Sequence, residues 1–218
     1  MYYDSAREAP RLPGMPMPSN GLIKSICVYC GSGFGDDPVF AENAALLGRL
    51  MAEQGINLVY GGGNVGLMGT VAQAVLDHGG YVTGIIPDFL KSREKLLDDV
   101  QETIVVPDMH TRKRLMFEKA DAFVALPGGI GTLEELVEQM TWSQLGQHTK
   151  PILMLSTKNF WKPLLTLIAH MRDQGFIRPG LELNYLVAER VEEVIPMLES
   201  AARRVGIVRN EEAIEARF

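Results

Sequence analysis

The chain has 218 residues, a length that suits one α/β domain, since a single hydrophobic core serves up to about 250 residues. Hydrophobic residues make up 46% and charged residues 22%, which excludes general disorder and fibrous repeats. With 21 Lys plus Arg against 27 Asp plus Glu, the net charge of -6 disfavours a surface that holds a nucleic-acid polymer and leaves room for a small anion in a local positive pocket.

Pro10, Pro13, Pro16 and Pro18 crowd the first 22 residues together with Gly14, Asn20 and Gly21. Such a composition sustains neither helix nor sheet pairing, so residues 1–22 are expected to be a flexible arm. The arm lacks the apolar centre of a secretory signal, and no apolar run reaches the roughly 18 to 20 residues that cross a bilayer. The expectation is a cytoplasmic protein with no membrane partner.

From Ile23 onward a short apolar run, a Gly or Pro break and a stretch of helical periodicity follow one another repeatedly, the βαβ signature of a parallel sheet. The predicted strands are Ser25–Tyr29, Asn57–Tyr60, Tyr81–Ile86, Thr103–Val106, Ala122–Leu126, Ile152–Leu155 and Tyr185–Ala188. Several are apolar on both faces, as strands covered by helices on either side must be. Helical stripes run through Phe40, Ala44, Leu47 and Met51, through Leu133, Leu136, Val137 and Met140, and through Leu164, Ile168 and Met171. Most of the eleven methionines are placed on core-facing stripes, for example Met51, Met140 and Met171, and are read as core filler. A last helix over Val191–Ala202 contains Pro196, which either kinks it or marks its first turn. The domain is thus expected over residues 23–204, with a charged tail of uncertain order over 205–218.

The only cysteines, Cys27 and Cys30, are spaced C-x-x-C along the apolar run of the first strand and its end. Positions i and i+3 of a strand face opposite ways, which disfavours a disulfide, and nothing else completes a zinc site, so no metal is expected.

In an open parallel sheet, ligands bind beyond the carboxyl ends of the strands. Three glycine-rich loops follow predicted strands: Gly31-Ser32-Gly33, Gly61 to Gly66, and Pro127 to Thr132. Glycine lets backbone amides close on a ligand, and a helix starting there adds the positive end of its dipole, so each loop is a plausible anion cradle. The second loop spells G-x-G-x-x-G with Asp88 about 20 residues on, the dinucleotide fingerprint, although the usual fingerprint belongs to the first βα turn. The third leads into an amphipathic helix. Its Thr132 can offer hydroxyl and N–H to a phosphate, while Thr132 and Glu135 also spell a capping box. Between the fourth strand and the next helix lies Met109-His110-Thr111-Arg112-Lys113-Arg114, either a solvated basic run or three positive groups gathered for an anion. His110 has no evident partner.

M-x-x-R-K at Met109–Lys113 followed by P-G-G-x-G-T-x-x-E at Pro127–Glu135 resembles the Lonely Guy (LOG) family, the cytokinin riboside 5'-monophosphate phosphoribohydrolases. The resemblance extends over about Lys24 to Ala202, including V-Y-C-G-S and G-G-G-N-x-G-L-M-G. It implies a Rossmann-like, doubly wound parallel sheet of about seven strands with helices on both faces, a homodimer, and no cofactor. Many members carry a lysine decarboxylase label, a chemistry that would call for a cofactor lysine no motif here suggests.

The implied reaction is hydrolysis of the N-glycosidic bond of a nucleoside 5'-monophosphate, releasing an adenine-type base and ribose 5-phosphate. The implied catalytic residues are Arg112 and Glu135. The implied substrate-binding residues are Gly31, Ser32, Gly62, Gly63, Glu94, Lys113, Gly128, Gly129, Ile130, Gly131, Thr132, Leu133, Glu134 and Thr141. Met116, Phe117, Trp142 and Leu145 could line a pocket for an N6 substituent or be core, and core is favoured for most; AMP itself is a candidate substrate. The alternatives are a non-catalytic carrier of a nucleotide or anionic cofactor, such as the molybdenum-cofactor carriers that share the P-G-G-x-G-T loop, and a nicotinamide-dependent oxidoreductase using the Gly61 loop.

Overall fold

The computed structural model describes residues 21–91, 97 and 99–215, the side chains of the last helix as far as 206. Residues 1–20 of the expected arm at 1–22 therefore lie outside the described residues. Seven strands form one parallel sheet: β1 (Ser25–Tyr29), β2 (Asn57–Tyr60), β3 (Val82–Pro87), β4 (Glu102–Val106), β5 (Ala122–Ala125), β6 (Ile152–Leu155) and β7 (Leu186–Ala188), in the order β4-β3-β2-β1-β5-β6-β7. The predicted runs are all strands, with ends shifted by a residue in β3, β4, β5 and β7. The helices are α1 (Val39–Glu53), α2 (Gly66–Asp77), α3 (Asp88–Lys91), α4 (Met109–Lys119), α5 (Ile130–Gln144), α6 (Lys162–Asp173) and α7 (Val194–Glu215). Among the described residues none is long and apolar enough to cross a membrane.

The chain winds outward from β1 to β4, then returns to lay β5 on the other side of β1. This reversal opens a crevice at the carboxyl ends of β1 and β5, where open α/β sheets take ligands. Alternation along the strands builds two cores. Ile26, Val28 and Cys30 join the layer of α1, α2 and α7, while Cys27 and Tyr29 join the layer of α4 and α5. Each fully buried Leu, Ile or Met there contributes roughly 1.5–3 kcal/mol. Both cysteines are free, buried and on opposite faces, and burial pushes both thiols up.

One expectation is corrected. Met51 and Met140 are core, but Met171 is 41% exposed, because α6 turns only Leu164, Leu165 and Ile168 toward the second core. The segment set apart as a tail continues helical to Glu215, since α7 runs on from Val194 without a break. Pro196 is the third residue of α7, a first-turn position whose missing N–H costs nothing.

Candidate active site

The three glycine loops lock together at the crevice. Gly31 donates its N–H to the Pro127 carbonyl at 3.1 Å and accepts from Leu67 N at 3.0 Å, so the loops after β1, β2 and β5 form one platform. Gly66 adopts φ +59 at the start of α2 and lies against the Ser32–Gly33 backbone, where a side chain would clash. Gly31, Ser32, Gly33, Pro127, Gly128 and Gly129 line a crevice of about 340 Å³ with Phe34, Phe40, Leu67 and Phe160 as its apolar walls.

Helix α5 starts at Ile130, with Gly129 as its N-cap and no side chain capping it. Thr132 is therefore the third helical residue and not a cap, and Thr132 with Glu135 does not form a capping box. The local spelling suggested one, but the loop enters the helix three residues earlier. The first-turn amides, which have no intrahelical partners, are left facing the crevice end of the helix with its positive dipole. Thr132 is buried beside Gly128.

Glu135, a turn further along, points inward to Arg112: the guanidinium Nη1 stands 3.5 Å from Oε1, with side chains 10% and 12% exposed. Burial raises the Glu135 carboxyl to about 7, against the opposing pull of Arg112 and with Glu134 adding to the rise. Arg112 comes from α4, whose N-cap Asp108 accepts from Thr111 N at 2.8 Å and from the Thr111 hydroxyl at 3.1 Å. That cap satisfies the helix start despite the basic run beside it. The Arg112 side chain donates Nε–H to Ile85 O at 3.1 Å and Nη2–H to Gly61 O at 3.4 Å, and its Nη1 lies 3.9 Å from the Met109 sulfur. Strands β2 and β3 thus aim it from below.

Lys113 donates to Glu134 at 2.6 Å and Glu138 at 2.9 Å, and these two carboxylates hold its ammonium above the usual lysine range. Arg114 does not join a gathering of three positive groups; at 100° per residue it turns outward and pairs with Glu118 at 3.9 Å. His110 is exposed.

Of the expected set, Gly31, Ser32, Gly128, Gly129, Ile130, Gly131, Thr132, Leu133, Glu134, Glu135, Arg112 and Lys113 gather around the crevice end of α5. Gly62 and Gly63 are buried in the second loop, next to the Gly61 carbonyl that holds Arg112. Thr141 is not brought to this group; it is exposed farther along α5, its hydroxyl donating to Val137 O at 2.8 Å. Glu94 lies outside the described residues. Met116 is core and Phe117 packs against it, stacking on Phe123 at 6.0 Å and meeting the half-buried Trp142 edge-on at 5.4 Å, whereas Leu145 is exposed. Gly61 was not among the expected residues. Its contact with Arg112 spans 51 positions, so no local spacing announces it.

The model of the family described as "Possible lysine decarboxylase" matches residues 68–198. A cytokinin riboside 5'-monophosphate phosphoribohydrolase of Arabidopsis thaliana is 48% identical, over 81% of this chain and 82% of that protein. One of Rhodococcoides fascians is 44% identical, over 81% of this chain and 90% of its own length. Among solved structures, a molybdenum cofactor binding protein of Rippkaea orientalis is similar at TM-score 0.61 and 27% identity, covering 81% of this chain and 95% of that one. The Moco carrier protein of Chlamydomonas reinhardtii, at TM-score 0.59 and 22% identity over 83% of this chain and 98% of its own, shares the fold.

Proposed function

Because this chain belongs to the LOG family of cytokinin riboside 5'-monophosphate phosphoribohydrolases, we propose that it hydrolyses the N-glycosidic bond of adenosine 5'-monophosphates, plain or N6-modified, to the free base and ribose 5-phosphate. The observation that carries the residue assignment is the buried Arg112–Glu135 pair beside the uncapped start of α5. The 5'-phosphate binds at the amides of Ile130, Gly131 and Thr132, where the helix dipole favours an anion, with the Gly31–Ser32 loop opposite.

Breaking the C1'–N9 bond sends its electron pair to the purine and leaves positive charge on the ribose, as in glycoside hydrolysis. Ionised Glu135 stabilises that charge and orients the attacking water; the water oxygen bonds C1' and its proton passes to the carboxylate. Arg112 supports the departing base, which takes a proton from solvent to become neutral, while Glu135 gives up to solvent the proton it received, so that one water is consumed overall. Lys113 and Glu94 belong to the same proposal as substrate contacts.

We further propose a cytoplasmic homodimer. Supporting a partner, α5 exposes Ile130 (83%), Val137 and Leu145, next to Leu167 and Met171 of α6 and to Phe176 and Leu181 beyond it. Ile130 and Leu167 line one apolar groove, and Gln144 donates to Leu181 O at 2.6 Å. Exposed apolar surface of this extent marks an interaction site.

Incubation with AMP and with isopentenyladenosine 5'-monophosphate, followed by assay of free base and ribose 5-phosphate, tests the reaction. Release from neither by folded protein contradicts it and favours the carrier reading.

A further inference from the structure

We propose that Gly61 is a positioning residue for the hydrolysis, acting through Arg112: its missing side chain opens the space that the guanidinium fills, and its carbonyl helps hold that group against Glu135. The inference rests on the reading of Arg112 as catalytic. A methyl group on Gly61 would overlap Arg112 Nη2 and stand 3.3 Å from Cζ, while the next neighbour, Met68 Sδ at 3.5 Å, is at ordinary contact distance. Gly61 is not among the glycines with positive φ, so its backbone accepts alanine and the guanidinium is the obstacle. From the other side Arg112 is held by Ile85 O and Glu135 at 3.1 and 3.5 Å, and the residue is only 8% exposed. Arg112 Nη2 is the far end of a flexible side chain, so a methyl at position 61 is accommodated by moving the guanidinium off the Gly61 carbonyl rather than by moving backbone.

This gives the second glycine loop a use that the dinucleotide fingerprint does not. The first glycine of G-x-G-x-x-G ordinarily makes a tight turn near a bound pyrophosphate. Here the space above it is filled by a side chain of the same protein, and the last glycine, Gly66, is spent on packing against the first loop. The loop serves hydrolysis by aiming an arginine.

The test is a double-substitution cycle on the full chain with isopentenyladenosine 5'-monophosphate, comparing wild type, Gly61→Ala, Arg112→Lys and the double variant. Lysine has no atom in the place of Nη2. Gly61→Ala is expected to lower kcat about 100-fold, the scale of a displaced catalytic group, with KM changed about threefold or less. Its acid limb should move to higher pH, because a more distant guanidinium lowers the Glu135 carboxyl less. In the Arg112→Lys background the same alanine should cost about twofold or less. An equal cost in both backgrounds, or unchanged kcat in Gly61→Ala, overturns the positioning role. Full activity of Arg112→Lys alone would instead overturn the reading of Arg112 on which it rests.

Discussion

The Arg112 guanidinium and the Glu135 carboxylate meet at 3.5 Å, yet burial outweighs the guanidinium and leaves the carboxyl near 7. A carboxylate in such surroundings is half ionised at neutral pH. That is where a group able to exchange protons with water works best.

A pH dependence follows. If ionised Glu135 is the working form, kcat should fall about tenfold per pH unit below 7 and level off above it. Steady-state rates from pH 5 to 9 measure this. A kcat flat across that range would remove Glu135 from the chemistry.

Stability moves the other way. The folded carboxyl sits at about 7 against 4.5 when unburied, so between these values the folded chain binds a proton that the unfolded chain has released. Stability from this group is complete below pH 4.5 and is lost as pH rises through 7, to the extent of about 3 kcal/mol. Urea unfolding across pH should show the wild type losing about that much relative to Glu135→Gln. A constant difference between the two would mean that the carboxyl is not raised.

Much of this site was legible because its parts are local. Asn57–Tyr60 and Ile152–Leu155 read as strands to the residue, since parallel strands covered on both faces are short unbroken apolar runs. Gly129 to Glu135 stood out as a strand-end loop entering a helix. What stayed hidden was set across the fold. The helix start at Ile130 depends on how the loop docks on Gly31, and the T-x-x-E spelling pointed to the wrong cap. Gly61 shows its use only once β2 lies beneath α4.

Gly131 separates ligand from fold. A methyl there meets no heavy atom within 4 Å, and its φ is not positive, so Gly131→Ala fits the free protein and favours the helix. The melting temperature should stay level or rise. With a phosphate seated on the first turn of α5, KM should rise about tenfold while kcat changes less, the pattern of lost ground-state binding. Unaltered KM would put the phosphate elsewhere.

The apolar face of α5 and α6 predicts a change in mass. Leu145 is 66% exposed on that face and outside the second core, so Leu145→Glu should leave the fold intact and turn a dimer into a monomer in sedimentation velocity. A monomeric wild type, or a variant that stays dimeric, contradicts the proposed interface.

The most direct measurement is the turnover of Glu135→Gln, which keeps the size and polarity of the side chain while removing its charge. Free base released from isopentenyladenosine 5'-monophosphate by the purified variant should fall at least about 1000-fold below wild type, with a cooperative unfolding transition retained. A folded Glu135→Gln protein working within a few-fold of wild type would contradict the assignment of the chemistry to this carboxylate.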